Sequence, residues 1–264
     1  VYCENDNMCF GVMQALDERG IAYGDGGVTL ISFDAVRTAL SADYEPTDKA
    51  IQNYYDTYLD IQKSYMERDL SYYDYYTSES VNLYMPAGFR YVKNLLIAIP
   101  DSVQEEIASL RADGKDAEAD ALRDQELSKI AAKAQGIYVR IQNGESYDEL
   151  LAAYGDDPGM KAGAENAETG YRIYDGSKSY EDNFKEAAMG LANVGDVSQP
   201  VGSDYGYYII RYVGDSVEQE IPVEQVRDKI RAILIKEKAT EYYEEIYENW
   251  KRQAKIEEYK DRIY

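Results

Sequence analysis

Residues 195–213, GDVSQPVGSDYGYYIIRYV, contain a strong β-strand signal. Tyr207–Val213, at the end of this stretch, are aromatic or β-branched apart from one arginine, a composition typical of strands. An extended segment near Val197–Val201 precedes them. A second strand is predicted at Tyr91–Ile99, where Pro100 ends an apolar run. Helical patterns lie between and outside the two strands, so the sequence predicts an α+β fold.

The helices between the strands are predicted from the spacing of apolar residues. One seam repeats at intervals of three and four residues and stops at Gly144, in a C-cap position; it comprises Leu127, Ile130, Ala134, Ile137 and Ile141. Ser146 and Glu149 match a capping box at the start of the next short helix. The charged segment after the first strand, broken at Gly114, predicts an exposed helical hairpin or one long solvated helix. A further helix face comprises Phe184, Ala187, Ala188 and Leu191.

Both ends of the chain predict helices that belong together. Thr47 fits an N-cap and begins a helix of about 20 residues with one apolar stripe. From Pro222 onward the pattern predicts one long amphipathic helix, which needs a partner. We therefore expect a mostly helical domain built from residues 1–88 and 216–264, with an α+β domain, residues 89–215, inserted between them. The apolar side of the long helix comprises Val223, Val226, Ile230, Ile233, Ile246 and Trp250.

Other stretches are less regular. Residues 70–86 are predicted to be loop-like or irregular, and residues 1–45 contain only a glycine-rich stretch and a short helical candidate around Phe33–Leu40. Cys3 and Cys9 fit a small disulfide loop or two free thiols equally well, so the cysteines do not decide the compartment. The chain starts with Val-Tyr-Cys and shows no basic, apolar leader, as expected of a mature or trimmed form.

The composition argues against several classes of function. The 264 residues include 50 Asp and Glu, 28 Lys and Arg and no histidine, for a net charge of −22. Without histidine there is no Ser-His-Asp or Cys-His mechanism and no His-ligated zinc, and the acidic loops do not match an EF-hand. Neither a metal nor a cofactor is expected. A chain this acidic repels phosphate backbones and anionic lipids, which disfavours nucleic acid as a partner.

Two further features concern surfaces. The longest purely apolar run, Leu95–Ile99, is far shorter than the roughly 20 residues that cross a bilayer. The chain has 28 tyrosines, many of them in adjacent pairs. Amphipathic packing and a surface that grips extended peptides both fit this abundance, because tyrosine provides a large contact area at low entropic cost.

Five segments, in this order and spacing, resemble one family. They are Tyr91–Ile97, Gly144–Leu151, Tyr154–Gly159, Asn183–Ala188, and Gly195–Val201 running on to Tyr205–Ile210. The region from about residue 90 to 213 resembles a parvulin-type peptidyl-prolyl isomerase domain. The flanks resemble the extracytoplasmic foldase lipoproteins of Gram-positive bacteria and the periplasmic SurA-like chaperones. The resemblance implies an antiparallel sheet with surrounding helices, inserted in a chaperone-like helical domain.

The resemblance also implies a site. Asn94 and Tyr208 stand where the family has histidines on its first and last strands, and Asp157 where it has cysteine or aspartate; these three are the candidate catalytic residues. The candidate substrate-binding residues are Tyr180, Phe184 and Leu191. The family's aromatic wall near residues 169–173 is not placed, because the motif there is degraded. Phospho-specific members have a basic cluster after the first strand, whereas this chain would repel a phosphate with Asp101, Glu105 and Glu106.

Isomerisation of an X-Pro bond needs no nucleophile, because its barrier, roughly 18–20 kcal/mol for a peptide bond, comes from amide resonance. It needs an apolar cup for the proline, exclusion of water and polar groups that favour the twisted amide. Asn94 and Tyr208 could rebuild a hydrogen-bond network around Asp157, or the three could merely satisfy one another in a decayed site. Asp157 also fits a turn-forming role, and Phe184 fits ordinary core packing.

Three functions follow from these features. The leading hypothesis is an exported foldase, tethered as a lipoprotein to the outer face of the cell membrane through an anchor absent from this chain. It would bind unfolded, proline-containing exported polypeptides and isomerise their X-Pro bonds. A second hypothesis keeps the fold but makes the protein a holdase whose degenerate parvulin domain only binds. A third is an extracellular protein that binds carbohydrate or peptide through its tyrosines. A homodimer through the long helices is an open expectation.

Overall fold

A computed structural model of the chain describes residues 2–3, 13–21, 31–32 and 44–253. In the first part, strands β1 (Tyr2–Cys3) and β2 (Ile31–Ser32) pair in parallel, and residues 13–18 are helical. The predicted helix around Phe33–Leu40 and the glycine-rich stretch before it lie outside the described residues, as does Cys9. The described chain divides into two compact units.

The first unit is discontinuous in sequence. It comprises residues up to Gln62, Tyr75–Leu83 and residues from Glu220 onward. It contains most of α1 (Asp48–Arg68), the end of α2 (Ser71–Glu79) and the long α8 (Val223–Gln253). The predicted N-cap is confirmed, because Thr47 Oγ1 accepts a hydrogen bond from the backbone N–H of Ala50 at 3.2 Å.

A buried glutamine joins two segments of this unit. Gln62 is 1% exposed, and its side-chain amide donates to the carbonyl of Val81 while its oxygen accepts from the N–H of Leu83, each at 2.8 Å. Tyr55 Oη similarly donates to the carbonyl of Ile221 at 2.8 Å. These bonds satisfy buried polar groups that would otherwise lower stability.

The prediction of an irregular stretch at residues 70–86 is wrong over α2. Its aromatic sequence has modest helix propensity, but Tyr73 is buried and packs edge-on against Phe89, with ring centroids 5.3 Å apart. Asp74 of the same helix pairs with Arg172. The helix therefore follows from tertiary packing, which local propensity does not record.

The second unit comprises Lys63–Asp74 and Tyr84–Gln219. The contacts of Tyr73 and Asp74 account for the inclusion of Lys63–Asp74, which the predicted limits had placed in the N-terminal helical segment. After α2, the next strand along the chain is β3 (Tyr84–Met85). The last strand before α8 is β8 (Gln219–Glu220).

A four-stranded antiparallel sheet forms the centre of the second unit. Its strands are β4 (Arg90–Ala98), β5 (Tyr171–Ile173), β6 (Val201–Ser203) and β7 (Gly206–Asp215), in the order β5-β4-β7-β6. The β4–β7 register places Asn94 opposite Ile210 and Leu96 opposite Tyr208. At the start of β7, Gly206 has a φ of 141°, and a Cβ there would lie 2.1 Å from the carbonyl oxygen of Ile97, so only glycine fits.

Alternation along β4 and β7 gives the sheet two different faces. One face packs against α4 (Asp116–Gln142) and α5 (Tyr147–Tyr154) in a core of Leu95, Ile97, Ala134, Ile137, Leu150 and Ile209. The other face packs against α7 (Asp182–Met189), in a core of Val92, Ile173, Phe184, Ala188 and Ile210. Asn94 lies two residues after Val92 and Tyr208 two residues before Ile210, so both lie on the face of the sheet that packs against α7.

The charged segment after β4 forms a helical hairpin, the first of the two predicted alternatives. Its arms are α3 (Asp101–Ala112) and α4, which pack together around a hydrophobic cluster of Ile99, Ile107, Ala119 and Leu127. The predicted seam of α4 and its end before Gly144 are confirmed. Ser146 Oγ accepts from the N–H of Glu149, as predicted for the cap of α5. A 3₁₀ turn (Pro158–Met160) and α6 (Asn166–Thr169) complete the unit. None of the helices in the described ranges is long and apolar enough to span a membrane.

Candidate functional site

A cavity of about 1080 Å³ opens in the second unit, on the sheet face that carries α7. Five of the six candidate site residues line it: Asn94, Asp157, Tyr180, Phe184 and Tyr208. The sixth, Leu191, does not line it. Leu191 packs against the core beneath α7 instead, and its carbonyl accepts a hydrogen bond from Arg90. The structure thus brings together the residues that the resemblance placed on four separate segments.

Aromatic rings form one wall of the cavity. Tyr180 stacks on Phe184 with ring centroids 5.5 Å apart and planes 18° apart. Tyr208 meets Phe184 edge-on at 4.9 Å, and Tyr171 meets Tyr180 at 6.1 Å. Phe184 is 3% exposed, so it both completes the core under α7 and faces the cavity.

Tyr171 is the site residue that sequence reasoning missed. It lies in the degraded motif at residues 169–173, at the start of β5, which pairs with β4 through Val92. Its hydroxyl donates to Asp157 Oδ1 at 3.0 Å. The sequence offered one signal for Tyr171, which is that an aromatic residue stands at the beginning of a strand.

Asp157 caps a turn and also lines the cavity. Its Oδ1 accepts from the N–H of Gly159 at 2.7 Å, which caps the 3₁₀ turn, and also from Tyr171 Oη. A Cβ on Gly159 would lie 1.9 Å from that hydroxyl oxygen, so the close approach requires glycine. The hydroxyl that reaches Asp157 thus comes from Tyr171 rather than from Tyr208.

Asn94 presents a buried acceptor to the cavity. The residue is 3% exposed, and its Oδ1 is buried without a hydrogen-bond partner. Leaving such an acceptor unpaired costs about 1–3 kcal/mol. A ligand that donates a hydrogen bond to Asn94 would recover that free energy. This oxygen is therefore an available acceptor at a residue that lines the cavity.

The phenols of the cavity are hydrogen-bond donors at neutral pH. Burial raises the pKa of Tyr208, and the carboxylates of Glu181 and Asp157 raise it further. Burial also raises the pKa of Tyr171, with the neighbouring Asp157 acting in the same direction. Loss of a phenolic proton is disfavoured beside a carboxylate, so both hydroxyls keep their protons.

The arrangement offers an apolar aromatic cup, protonated phenols and an amide, with carboxylates at the edge. It holds no activated nucleophile, and no cluster of three potential metal ligands occurs among the described residues. Such a cavity can bind a proline ring and direct polar groups at the adjoining amide. It is suited to a reaction in which a bond rotates rather than breaks.

Comparison with known proteins agrees with this geometry. Residues 102–214 match the model of the PPIC-type PPIase domain, known as rotamase. This part of the unit that holds the four-stranded sheet is accordingly similar to parvulin-type peptidyl-prolyl isomerase domains. About half of the chain is similar to parts of the foldase PrsA and the chaperone SurA.

Two curated relatives illustrate this similarity. The foldase protein PrsA of Caldanaerobacter subterraneus subsp. tengcongensis is 29% identical over 131 residues, 49% of this chain and 40% of the relative. The chaperone SurA of Ralstonia nicotianae is 33% identical over 120 residues, 46% of this chain and 22% of the relative. The chain thus spans less than half the length of these curated relatives. Among solved structures, PrsA from Bacillus subtilis is 17% identical, with 87% of this chain and 84% of that chain covered, at a TM-score of 0.28.

Proposed function

We propose that this protein is an extracytoplasmic foldase that binds unfolded exported polypeptides and catalyses cis-trans isomerisation of their X-Pro bonds in the cavity of its parvulin-type domain. One observation carries the proposal: the cavity joins an aromatic cup at Phe184 to the unpaired, buried Oδ1 of Asn94. The cup fits a proline ring, and the oxygen fits a peptide N–H. Both groups lie on one face of the sheet, and Phe184 lies within residues 102–214, which match the PPIC model.

The chemistry requires the twisted amide to be bound more tightly than the planar one. With the proline ring held against Phe184, the preceding carbonyl is the part that rotates. Tyr208 supplies a protonated hydroxyl in the cavity wall, which can donate to that carbonyl oxygen as it turns, whereas the proton of Tyr171 is already donated to Asp157. Because no proton has to be transferred, histidine is not required by the reaction itself.

A second function, binding without turnover, is favoured by a different observation. Asn94 and Tyr208 occupy the positions at which the family resemblance expects histidines, and Asp157 is already engaged by Gly159 and Tyr171. In that case the domain is a docking module of a holdase. Both functions require X-Pro segments to occupy the cavity, so turnover is the measurement that separates them.

The names of the relatives support the client class and the location. They are called a foldase and a chaperone, and for this chain we infer unfolded exported proteins as clients. In the first unit, exposed Tyr58, Ile61 and Tyr75 provide an apolar and aromatic surface suited to extended segments. Attachment to the outer face of the membrane through a lipid, and a homodimer through α8, belong to the same proposal. Membrane fractionation and analytical ultracentrifugation test these two features.

The experiment for turnover is exchange NMR, or a protease-coupled assay, on a panel of Xaa-Pro peptides with the full chain. Phe184→Ala removes the cup and is expected to lower the catalysed rate roughly tenfold or more. Phe89→Ala is the matched control, because Phe89 is fully buried in the same unit but does not line the cavity. Tyr180→Leu, a milder change in the cup, provides a second variant.

The outcomes separate the two functions. Catalysis that is lost in Phe184→Ala but retained in a folded Phe89→Ala supports the isomerase. Binding of proline peptides without any acceleration across the panel rejects catalysis and leaves the holdase. Absence of both binding and acceleration rejects the assignment of this cavity.

A further inference from the structure

The charges that line the cavity are all of one sign. Four carboxylates belong to its wall, from Asp101, Asp156, Asp157 and Glu181, and no lysine or arginine does. Two of them already accept internal hydrogen bonds: Asp156 Oδ2 from the N–H of Ala98 at 3.0 Å, and Asp157 Oδ1 from Gly159 and Tyr171. Asp101 lies in the first turn of α3, where the helix dipole favours a negative charge.

Glu181 differs from the other three. It directly precedes α7, between Tyr180 and the turn that carries Phe184, and it forms no ion pair among the described residues. Burial raises the pKa of its carboxyl, and the nearby carboxylate of Asp204 raises it further, while a hydrogen bond from the backbone of Asp204 and the charges of Arg123 and Arg111 act in the opposite direction. Glu181 is thus a partly buried carboxylate without a cation of its own.

The two neighbouring arginines are committed elsewhere. Arg111 pairs with Asp204 at 2.9 Å and with Asp120 at 2.7 Å. Arg123 pairs with Asp120 at 2.8 Å and with Asp124 at 2.9 Å. Neither lines the cavity. A basic side chain of the cavity's occupant can therefore pair with Glu181 without competing with an existing ion pair.

We propose that Glu181 makes the cavity selective for client segments that carry lysine or arginine beside the proline. The inference rests on the proposed function: the proline ring lies against Phe184, and the neighbouring basic side chain reaches the Glu181 carboxylate. The unpaired Oδ1 of Asn94, a residue that lines the same cavity, is a second and independent observation that supports a ligand at this wall.

The opposite charge is rejected by the same wall. A glutamate or phosphorylated residue beside the proline meets four carboxylates and no cation, on a chain whose net charge is −22. A neutral residue meets neither attraction nor repulsion. We therefore expect peptides with a basic residue beside the proline to bind most tightly, those with a neutral residue less tightly, and those with an acidic residue least tightly.

The test uses the full chain and peptides that differ in one side chain. Lysine and norleucine, which share a similar length but not the charge, are placed before or after the proline, with glutamate as the third member. Binding is followed by NMR titration and turnover by exchange NMR. We expect lysine to be favoured over norleucine by about fivefold at one of the two positions, and this ratio to fall as salt is added.

Glu181→Gln removes the charge and nearly keeps the shape. It is expected to bring the lysine-to-norleucine ratio to about one while binding of the norleucine peptide is unchanged. Glu186→Gln is the matched control: the same substitution in α7, at an exposed position outside the cavity, and it should leave the ratio as it was. The salt series on the unaltered chain is a second readout that does not depend on any variant folding.

The outcomes distinguish this inference from the function on which it rests. If proline peptides bind but the ratio is already one, or stays unchanged in Glu181→Gln, the inference is overturned and the proposed function stands. If no proline peptide binds, both are overturned.

Discussion

At the scale of residues, the site depends on close approaches that only folding produces. Asp157 was expected either to form a turn or to belong to the site; one of its oxygens caps a turn, and the residue also lines the cavity. That oxygen accepts from Gly159 within the turn and from Tyr171, 14 residues further along the chain. The absence of a side chain on Gly159 is what leaves room for the hydroxyl of Tyr171.

This predicts the effect of Gly159→Ala. The new methyl group would lie 1.9 Å from Tyr171 Oη, so the hydroxyl must leave Asp157. We expect a loss of about 0.5–1.5 kcal/mol in the free energy of unfolding, the usual contribution of one hydrogen bond, together with weaker isomerase activity or peptide binding. Urea unfolding and the peptide assay measure the two effects.

Two further variants control this prediction. Tyr171→Phe removes the same hydrogen bond, so combining it with Gly159→Ala should add little to either loss. Gly136→Ala, in the middle of α4 where nothing lies within 4 Å of the new methyl group, should be neutral or stabilising. Fully additive losses in the double variant would show that Gly159 acts on something other than Tyr171.

At the scale of elements, the position of α7 depends on one arginine. Arg90, at the start of β4, donates from Nη1 to the carbonyls of Ala188, Met189 and Leu191, at 3.0, 2.8 and 2.8 Å. These are carbonyls at and beyond the end of α7, which have no partner within the helix. The guanidinium also lies 4.0 Å above the ring of Tyr212. Arg90 thereby fixes the helix whose first turn presents Phe184 to the cavity.

Arg90→Lys is therefore not a conservative change. Lysine keeps the charge but lacks the planar group that reaches several carbonyls while stacking on a ring. We expect the free energy of unfolding to fall by about 1–3 kcal/mol, as for hydrogen bonds to charged groups. Circular dichroism during urea denaturation measures the change.

Arg68→Lys, at the exposed end of α1, is the matched control and should change the free energy of unfolding by less than about 0.5 kcal/mol. An Arg90→Lys protein as stable as this control would mean that the contacts to α7 contribute nothing net.

At the scale of the whole molecule, the numerous tyrosines govern the response to alkaline pH. Nine described tyrosines have a raised pKa: Tyr54, Tyr73, Tyr84, Tyr147, Tyr171, Tyr174, Tyr180, Tyr208 and Tyr212. Burial is the main cause for all of them except Tyr212, for which a hydrogen bond to Asp215 comes first. Burial raises the pKa of Tyr84 to about 12. Many of the tyrosines are thus packed with the phenol protonated, the first of the two roles considered for them.

The direction of the effect follows from proton linkage. Below the unfolded tyrosine pKa of about 10, both states keep the phenolic proton and stability does not depend on it. Above that pH the unfolded chain loses protons that the folded chain retains, so the free energy of unfolding falls as pH rises. The slope is at most about 1.4 kcal/mol per pH unit for each fully protected phenol.

Tyr147 is the clearest case to test. It is 5% exposed, burial raises its pKa well above the usual value, and its hydroxyl contacts the carbonyls of Lys93 and Ile209 at 3.1 and 2.9 Å. Tyr147→Phe should be less stable at neutral pH but should lose stability less steeply above pH about 10. Urea unfolding at a series of pH values from neutral to alkaline gives both quantities.

Tyr242→Phe, at an exposed position of α8, serves as the control and should leave the alkaline slope unchanged. An equal slope in the Tyr147→Phe protein would show that this phenol is not protected in the folded state.

The sequence by itself determined the order and type of most elements, because strand composition, helix periodicity and caps are local properties. Thus β4 and β7, the seam and end of α4, the cap of α5 and the long α8 were predictable. The family resemblance added five of the residues that line the cavity, because their motifs keep a fixed order along the chain.

Only the tertiary structure decided the rest, because it concerns contacts between residues far apart in the chain. Packing against Phe89 makes the tyrosine-rich α2 a helix, against its modest local propensity. The position of β5 beside β4 brings Tyr171 to Asp157, and Leu191 lies outside the cavity although it follows the same helix face as Phe184. The ion pairs of Arg111 and Arg123 leave Glu181 without a cation. No local pattern records such pairings, so the chemistry of the cavity was visible only once the chain was folded.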